Sequence, residues 1–242
     1  MNDGPGIGDP SGAFGRRGVA KRVGAVSRHL PVRGDRLLDI GCGDGAHTVE
    51  IADDYVRVDA IDLEPQRLDL FAERIAGTPL EDRIGLHKMS ADSLAFDPNT
   101  FDRVTAFEVV EHIDDLGSAL GEIHRVLKPG GAFSLTTSNR WFPFETHGVL
   151  WGDRRMPALT APFLPWVPPL HGRMSDVRAF TTQEMGRLLR GVGLRVRAID
   201  YLMPAFDRRP RPLRSLSDVL EGTPLRVFGM AMAVTAVKPG RP

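Results

Sequence analysis

This sequence contains very little cysteine and has no excess of charge of either sign. Cys42 is the single cysteine among 242 residues, so no disulfide can form within the chain and a disulfide-framed extracellular scaffold is excluded. Lysine plus arginine and aspartate plus glutamate both total 31, which gives a formal net charge of zero. A general nucleic-acid binder needs a strong positive field to neutralise phosphates, so the sequence carries no strong nucleic-acid signature.

Long hydrophobic runs are absent as well. No stretch reaches the roughly 18 consecutive apolar residues of a membrane-spanning helix, and residues 1–18 lack the apolar segment of a secretory signal. Hydrophobic residues nevertheless make up 42% of the chain and charged residues 26%, the usage of ordinary globular proteins. These features predict a folded, cytoplasmic protein.

Strand-like and helix-like segments alternate along most of the chain. Short apolar runs predict strands at 36–40, 57–62, 84–89, 102–108 and 132–138, with helical patterns between them at 46–53, 65–76 and 114–127. Strands separated by helices indicate βαβ units and a mostly parallel sheet with both faces covered. The predicted fold class is α/β, doubly wound and Rossmann-like.

Both ends of the chain contain further predicted elements. Residues 1–30 predict a flexible arm followed, from Arg16, by a short basic amphipathic helix, ahead of one domain at 31–242. A capping-box pattern, Thr181-x-x-Glu184, predicts a further helix. Beyond that helix the sequence predicts a strand at 194–202, a loop with one helical turn at 203–223 and a final strand at 225–237.

An insert at 139–180 interrupts the alternation after the fifth strand. It contains all three tryptophans and sustains neither the strand period nor the helix period. Its aromatic side chains include Trp141, Phe142, Phe144, Trp151, Phe163 and Trp166. Three interpretations stay open: a lid over an apolar or aromatic substrate, a peripheral membrane contact helped by Arg154 and Arg155, or a small satellite core.

A glycine cluster follows the first predicted strand in the segment Leu37–Thr48, LLDIGCGDGAHT. Gly41, Gly43 and Gly45 allow positive φ and let a ligand approach the backbone closely, and the helix that follows offers free N–H groups. Asp62 ends the next strand about twenty residues further on, where a carboxylate can accept the hydroxyls of a ribose.

The spacing of the glycines distinguishes this loop from a dinucleotide-binding loop. The glycines follow G-x-G-x-G rather than G-x-G-x-x-G, so the pyrophosphate fingerprint is not matched. Asp39, two residues before Gly41, would repel a pyrophosphate and attract an ammonium or sulfonium group. The pattern therefore favours a cationic nucleoside as the ligand.

Six segments in this order resemble the motifs of the class I S-adenosylmethionine-dependent methyltransferases, in particular the broad group that includes the ubiquinone-pathway O-methyltransferases. They are LLDIGCGDG, AIDLEP, Ala91-Asp92, FDRVTAFEVVEHI, RVLKPGG and FTTQEMGRLLRGVGL. The resemblance implies a seven-stranded sheet whose last strand is antiparallel. It also implies S-adenosylmethionine as the methyl donor and S-adenosylhomocysteine as a product.

The resemblance assigns cofactor-binding roles to ten residues, which are Asp39, Gly41, Cys42, Gly43, Asp62, Leu63, Ala91, Asp92, Phe107 and Glu108. By this assignment the glycine loop holds the methionine part, Asp62 takes the ribose hydroxyls and Leu63 flanks the adenine. The pair at 91–92 faces the adenine amine, and the pair at 107–108 lines the methionine and sulfonium side.

The element Glu108-x-x-Glu111-His112 follows the fourth predicted strand, at the edge of the sheet where ligands bind. Transfer to an oxygen requires removal of a proton, so we expect the catalytic groups among Glu111, His112 and His147. The element is also similar to one in the small-RNA 2′-O-methyltransferases and in metal-requiring ubiquinone-pathway enzymes. A divalent metal held by these three residues and Glu108 is thus a second interpretation. In a third interpretation, Glu108 contacts the cofactor, Glu111 contacts a helix terminus and His112 packs against a loop.

These patterns predict an S-adenosylmethionine-dependent methyltransferase acting on a small, apolar or aromatic molecule, with O-methylation in secondary or cofactor metabolism. The neutral charge and the aromatic insert favour a small-molecule substrate. An RNA or protein methyltransferase stays open, as does a non-catalytic cofactor-binding partner. The one basic run, at 207–214, is interpreted as a solvated loop, and no feature of the sequence predicts an oligomeric state.

Overall fold

The computed structural model describes residues 10–29, 33–152, 154–206 and 211–240. Its strands are β1 (Gly34–Ile40), β2 (Tyr55–Asp62), β3 (Ile84–Lys88), β4 (Phe101–Phe107), β5 (Leu127–Ser138), β6 (Val149–Trp151), β7 (Arg154–Met156), β8 (Arg195–Leu202) and β9 (Ala231–Val237). Its α-helices are α1 (Pro10–Ser27), α2 (Thr48–Ile51), α3 (Pro65–Ile75), α4 (Leu116–Val126), α5 (Pro168–Met174), α6 (Thr182–Gly191) and α7 (Arg211–Glu221).

Seven of these strands form one sheet in the order β3-β2-β1-β4-β5-β9-β8. Neighbouring strands are parallel from β3 across to β5, whereas β9 is antiparallel to both β5 and β8. The predicted α/β class is confirmed, including the seven-stranded sheet with an antiparallel last strand. That strand begins at Ala231 rather than at 225, because Pro224–Phe228 form a 3-10 turn.

The sheet has a hydrophobic core on each face. Leu37 and Leu38 are consecutive in β1 and both fully buried, and because successive side chains of a strand point to opposite faces they enter different cores. Leu38 lies in the cluster that includes Leu120 of α4 and Met185 of α6. Leu37 lies in the cluster that includes Phe71 of α3. Burial on both faces explains why the sequence shows continuous apolar strands.

The N-terminal helix begins earlier than the sequence predicts. α1 starts at Pro10 instead of Arg16, and Gly15, with φ at 60°, interrupts its regular geometry. The predicted arm is therefore helical from residue 10 onward. Residues 1–9, and Leu30 at the predicted end of the helix, lie outside the described residues.

α1 is fastened to the sheet rather than standing apart from the domain. Val26 is fully buried in the core on the α3 side. Just beyond the helix, Arg28 donates to Asp200 of β8 at 3.0 Å. The N-terminal helix therefore packs directly against the domain that the sequence predicts from residue 31 onward.

The region after β8 is helical where the sequence predicts a loop. α7 is an 11-residue helix whose Ser217 is buried and donates to the Pro204 carbonyl at 2.6 Å. It also pairs with α1, since Lys21 lies 2.5 Å from Glu221. The proline that suggests a loop falls in the first turn of α7, where proline is tolerated. Residues 207–210 of the basic run lie outside the described part of the chain.

The insert at 139–180 contains regular structure that its sequence does not reveal. β6 and β7 form a two-stranded hairpin, a 3-10 turn follows at Leu164–Trp166, and α5 precedes the return to α6. Asn139 anchors the start of the insert by donating to the carbonyls of Val227 and Gly229 at 2.8 and 2.7 Å. Within the described ranges, no helix has both the length and the apolar character needed to cross a membrane.

We predict that Thr181→Ala lowers the free energy of unfolding by about 1 kcal/mol. Thr181 Oγ1 accepts the N–H of Glu184 at 3.2 Å, and the Glu184 carboxylate accepts the N–H of Thr181 at 2.8 Å, so the predicted capping box is present. The substitution leaves an N–H of the first turn without its cap. Urea denaturation measures the change in the free energy of unfolding. Gln183→Ala, exposed in the same turn, is the control, and equal effects of the two substitutions would contradict the role of the cap.

Candidate active site

The candidate site lies at the carboxyl ends of β1, β2, β4 and β5, where a doubly wound sheet places its ligands. Gly41, Gly43 and Gly45 have φ of 64°, 56° and 80°. Packing requires two of these glycines, because a Cβ would lie 2.4 Å from Val109 at Gly41 and 2.2 Å from Phe71 at Gly45. A Cβ at Gly43 would meet no atom closer than 3.6 Å, so Gly43 faces the open side of the loop.

Asp39 lies beneath this loop. It is 1% exposed, and its carboxylate accepts hydrogen bonds from Thr48 Oγ1 at 2.5 Å and Thr105 Oγ1 at 2.7 Å. Burial raises its pKa to about 6 in spite of these hydrogen bonds. Attraction of a cationic ligand, which the sequence suggests for Asp39, stays a prediction. The contacts of this side chain join the start of α2 to β4.

Asp62 and Leu63 follow at the end of β2. Asp62 Oδ2 accepts the Gly43 N–H at 2.9 Å and Oδ1 accepts the Glu64 N–H at 3.0 Å, so the carboxylate also fixes the shape of the loop. Leu63 is 63% exposed, which leaves its side chain available to a ligand. Cys42 is buried among core residues, and burial raises the pKa of its thiol.

Three further predicted cofactor residues are Ala91, Asp92 and Phe107. Ala91 is buried, whereas Asp92 beside it is exposed. Phe107, at the end of β4, is buried and stacks on His47, with ring centroids 4.6 Å apart and planes 8° from parallel. Burial and the nearby Arg22 charge lower the pKa of His47 to about 3, so this aromatic pair is uncharged at neutral pH.

Glu108 is held by an arginine of the N-terminal helix. Arg22 Nε on α1 lies 3.1 Å from Glu108 Oε1, and the two side chains are 2% and 8% exposed. Burial alone raises the pKa of Glu108, but the Arg22 charge and the Thr136 hydroxyl outweigh it and hold the pKa below its usual value. Glu108 also has φ of 56°, which is uncommon for a residue other than glycine. It is therefore a fixed, ionised carboxylate at the edge of the crevice.

The structure brings together Glu111, His112 and His147, the three residues that the sequence proposes for catalysis. Their potential ligand atoms all lie within 4.8 Å of one another, and the two imidazole rings meet edge to face at 5.3 Å. Glu111 is 1% exposed and accepts the Thr137 hydroxyl at 2.9 Å and the Ser138 N–H at 3.2 Å. Burial is the main reason that its pKa rises to about 7.

The pKa values of the two histidines of this cluster shift in opposite directions. Burial and the proximity of His147 lower the pKa of His112 below its usual value. Burial also acts against protonation of His147, but the carboxylates of Glu145 and Glu111 outweigh it and raise the pKa. His112 is thus the neutral imidazole of the pair at neutral pH and can accept a proton.

A carboxylate and two imidazoles are also a donor set that suits a first-row divalent metal ion. The residues that could hold such an ion are Glu111, His112 and His147. Glu108, the fourth ligand proposed from the sequence, does not belong to this group, because its carboxylate contacts Arg22. Both oxygens of Glu111 already accept hydrogen bonds from β5, so a metal ion would compete with these contacts.

Glu145 and His171 of the insert extend the cluster, and sequence reasoning missed both. Glu145 Oε2 lies 2.5 Å from His171 Nε2, and Oε1 accepts the backbone N–H of His147 at 2.9 Å. Burial opposes ionisation of Glu145, but its contacts with the two histidines lower the pKa to about 2. The E-T-H spacing at 145–147 is the one signal that could have indicated Glu145.

Arg22 and His47 are two other site residues that the sequence did not reveal. Arg22 is 86 positions from Glu108, and a contact at that separation leaves no local pattern. His47 follows the last glycine of the loop, and its position in that motif is the available signal. Arg22 therefore depends on a distant contact, whereas His47 has a local signal in the sequence.

Residues 38–135 match the family model of the methyltransferase domain. The matched segment runs from β1 to β5 and contains the glycine loop, Asp62 and the element at 108–112. Together with the sheet order and the ordered motifs, this match makes the chain similar to the S-adenosylmethionine-dependent methyltransferases from β1 to β5. The methyl donor of that class is S-adenosylmethionine.

Two relatives with assigned functions align with part of this chain. A demethylmenaquinone methyltransferase of Symbiobacterium thermophilum is 34% identical over 155 residues, which cover 61% of this chain and 59% of that protein. A ubiquinone biosynthesis O-methyltransferase of Xanthomonas oryzae pv. oryzae is 32% identical over 152 residues, which cover 61% of this chain and 63% of that protein. The alignments thus span about three fifths of both relatives.

Solved structures share the fold. An S-adenosylmethionine-dependent methyltransferase from Mesorhizobium loti superposes with a TM-score of 0.65 at 20% identity, over 91% of this chain and 100% of that one. A geranyl diphosphate C-methyltransferase from Streptomyces coelicolor was solved with Mg²⁺, geranyl diphosphate and S-adenosyl-L-homocysteine. It superposes with a TM-score of 0.63 at 18% identity, over 96% of this chain and 85% of that one. At such identities the similarity concerns the fold alone.

We predict that Asp39 makes the folded protein less stable as pH rises. Its pKa of about 6 lies above the ordinary 3.8, so the folded state binds the proton more tightly than the unfolded state. This stabilising contribution is complete below the ordinary pKa and is lost as pH rises through about 6. Asp39→Asn can still hydrogen-bond to both threonines but does not ionise, so its stability relative to wild type should increase between about pH 5 and about pH 8.

Urea unfolding at the two pH values measures this relative stability. Asp69→Asn, at an exposed position of α3, is the matched control and should show no comparable trend. A difference between Asp39→Asn and wild type that stays constant with pH would contradict the prediction.

Proposed function

We propose that this protein is an S-adenosylmethionine-dependent methyltransferase that methylates an oxygen of a small, apolar or aromatic molecule. The observation that carries the proposal is the position of the neutral His112, beside His147 and Glu111 at the carboxyl end of β4. S-adenosylmethionine supplies an already activated methyl group on a sulfonium. The protein must then hold the acceptor in line with that group and remove a proton from it.

Residues around the crevice have the chemistry to hold the cofactor. In this proposal the open side of Gly43 admits the methionine part, and the ionised Glu108 faces its positive groups. Asp62 accepts the ribose hydroxyls, while the exposed Leu63 and Asp92 border the adenine. The four remaining predicted residues support the pocket from below, and they are Asp39, Cys42, Ala91 and Phe107.

His112 is the proposed base. A neutral imidazole can take the proton of an acceptor hydroxyl as the new carbon–oxygen bond forms. His147 would orient its ring, because the two rings meet edge to face and the Glu145 carboxylate holds His147 in place. Glu111 would keep both histidines at the end of β4 through its hydrogen bonds to β5.

The insert is the proposed lid over the acceptor. It supplies Glu145, His147 and His171, and the N–H of Arg178 near its end donates to the Glu111 carbonyl at 3.2 Å. A cover tied to the reactive cluster can bury an apolar acceptor and exclude water. This arrangement supports a small acceptor over an RNA or protein substrate.

The relatives support a role in cofactor or secondary metabolism. Both aligned relatives are named for quinone methylation or quinone biosynthesis, and one is named as an O-methyltransferase. A small, largely apolar aromatic acceptor is consistent with those names and with the aromatic insert. The single, buried Cys42 suits a reducing cytoplasm, where we place the reaction.

Methyl transfer into an extract of the source cells tests the proposal. The protein is incubated with radiolabelled S-adenosylmethionine, and the label is separated into organic-soluble, RNA and protein fractions. Label in the organic-soluble fraction is expected, and base-stable attachment to oxygen should be found on identification of the product. Label confined to RNA or protein would overturn the small-molecule assignment.

We predict that Asp62→Ala weakens S-adenosylmethionine binding by roughly 10- to 100-fold, because one charge-assisted acceptor is worth about 1.5–3 kcal/mol. Loss of the bond to the Gly43 N–H adds to the effect. Isothermal titration calorimetry measures the dissociation constant. Asp69→Ala, which removes an exposed carboxylate from α3, should leave binding unchanged. Equal affinities of the two variants would show that the cofactor pocket lies elsewhere.

We also predict that His112→Gln lowers kcat by roughly 100-fold, the usual contribution of general-base catalysis. Cofactor affinity should stay within about twofold of wild type, because His112 is not among the cofactor contacts. His124→Gln on α4 is the control and should retain the wild-type kcat. If chelation abolishes wild-type activity and a first-row divalent ion such as Zn²⁺ restores it, the cluster holds a metal ion instead of acting as a simple base.

A further inference from the structure

A cavity of about 740 Å³ lies between α4, α5 and α6. None of the ten residues assigned to the cofactor lines it, and neither do Glu111, His112 and His147. The cavity is therefore separate from the crevice at the carboxyl edge of the sheet. Its volume falls within the usual range of cavities that hold a small organic molecule, which makes it a candidate for a second binding site.

Each of the three helices contributes one glycine to the lining, namely Gly117 of α4, Gly172 of α5 and Gly191 of α6. A Cβ at Gly172 or Gly191 would meet no atom within 4 Å, and a Cβ at Gly117 would come no closer than 3.4 Å to Asp115. None of the three is among the described glycines with positive φ. Glycine is less favourable than alanine in a helix. Since neither the backbone nor the packing requires glycine here, its effect at these positions is to leave room in the cavity.

Apolar side chains form one part of the lining. Leu120 of α4 is fully buried, and Leu188 and Val192 of α6 are half-buried. Phe180, in the segment that joins α5 to α6, is buried and also lines the cavity. A ligand in contact with these side chains removes apolar surface from water, which favours a ligand with an apolar body.

The two carboxylates that line the cavity, those of Glu184 and Asp176, already have guanidinium partners. Glu184 lies 2.6 Å from Arg140, and it also accepts the backbone N–H of Thr181 in the capping box. Asp176 lies 3.3 Å from Arg155. The described lining therefore offers no unpaired carboxylate to a cationic ligand.

Two further arginines line the cavity and have no acidic partner within the described ranges. Arg187 of α6 is exposed and makes no hydrogen bond or ion pair with the described part of the chain. Arg178 lies over the ring of Phe180, with its guanidinium carbon 5.6 Å from the ring centroid, and donates to the carbonyl of Ile113. These contacts position the charge of Arg178 without neutralising it. An anionic group complements the two charges.

We propose that this cavity binds a small organic acid, with one carboxylate on an apolar body. The carboxylate pairs with Arg187 and Arg178, since a planar guanidinium can bind a carboxylate through two parallel hydrogen bonds. The apolar body lies against Leu120, Leu188 and Val192. Binding at this cavity does not require methyl transfer, so this proposal and the proposed function can fail separately.

Isothermal titration calorimetry of the full chain with decanoate, kept below the concentration at which it forms micelles, tests the site. We expect saturable binding that S-adenosylhomocysteine does not displace, because the cavity and the crevice are lined by different residues. Decyltrimethylammonium has the same apolar chain with the opposite charge and should not compete with decanoate. Higher salt should weaken decanoate binding, because exposed charges are screened. A wild-type protein that does not bind decanoate would overturn the proposal.

Two arginines of α6 provide a matched pair of variants. Arg187→Glu should weaken decanoate binding at least ~tenfold, because it replaces an attracting charge at the cavity with a repelling one. Arg190→Glu changes an exposed arginine of the same helix that does not line the cavity, and its affinity should stay within about twofold of wild type. Circular dichroism and urea unfolding verify that both variants are folded.

A third variant tests the space itself. Gly191→Leu adds a side chain to the lining at a position where a Cβ meets no atom within 4 Å, so the protein should fold and decanoate binding should be lost. Undiminished binding by Gly191→Leu, or equal binding by the two arginine variants, would show that decanoate binds elsewhere and would overturn the proposal. A wild-type dimer, seen by light scattering, that Gly191→Leu dissociates would overturn it too, since the cavity would then be a contact between two copies.

Discussion

The ion pair between Arg22 and Glu108 is the contact on which the site depends. Two charges removed from water are tolerated only when they are closely paired, and both side chains are almost fully buried. Because Arg22 belongs to α1 and Glu108 follows β4, the pair draws the N-terminal helix against the carboxyl edge of the sheet. Burial, together with the charge of the same arginine, lowers the pKa of His47 and keeps the His47–Phe107 stack uncharged.

Local patterns in the sequence are sufficient to predict the sheet and the glycine loop on the cofactor side of the site. Gly41, Gly43 and Gly45 indicated a strand–loop–helix connection, and Asp62 lies where that connection places it. Thr181 likewise caps α6 as its motif predicts. Each of these features depends on neighbours in the chain or on one repeating unit of the fold, so its signal is contained in a short segment.

The features that escaped prediction depend on distant partners. Asp39 was assigned by its charge alone, whereas its hydroxyl partners come from α2 and β4. The contact between Glu145 and His171 spans 26 positions of a segment without any sustained period. For α7 the proline and arginine content predicts a loop with one helical turn, whereas the contact with α1 stabilises a full helix. In all three cases tertiary packing decides the outcome.

The insert shows how one segment can serve two surfaces. Its inner side carries buried, hydrogen-bonded polar groups such as Glu145 and His171, which are fixed against the reactive cluster. Its outer side carries exposed rings and guanidinium groups. Hydrogen bonds from Glu145 to the backbone of His147 and to His171 of α5 hold the inner side next to the reactive cluster.

The position of β9 has a consequence for how the protein is made. β8 pairs with β9, and β9 alone joins it to the rest of the sheet. Asn139, at the root of the insert, is anchored on the carbonyls of Val227 and Gly229, just before β9. While the ribosome still covers residues 227–237, β5 has an open edge and Asn139 lacks the two carbonyls that anchor the root of the insert. A nascent chain that already contains every residue of the crevice therefore still lacks these contacts. The segment that completes them contributes no member of the reactive cluster.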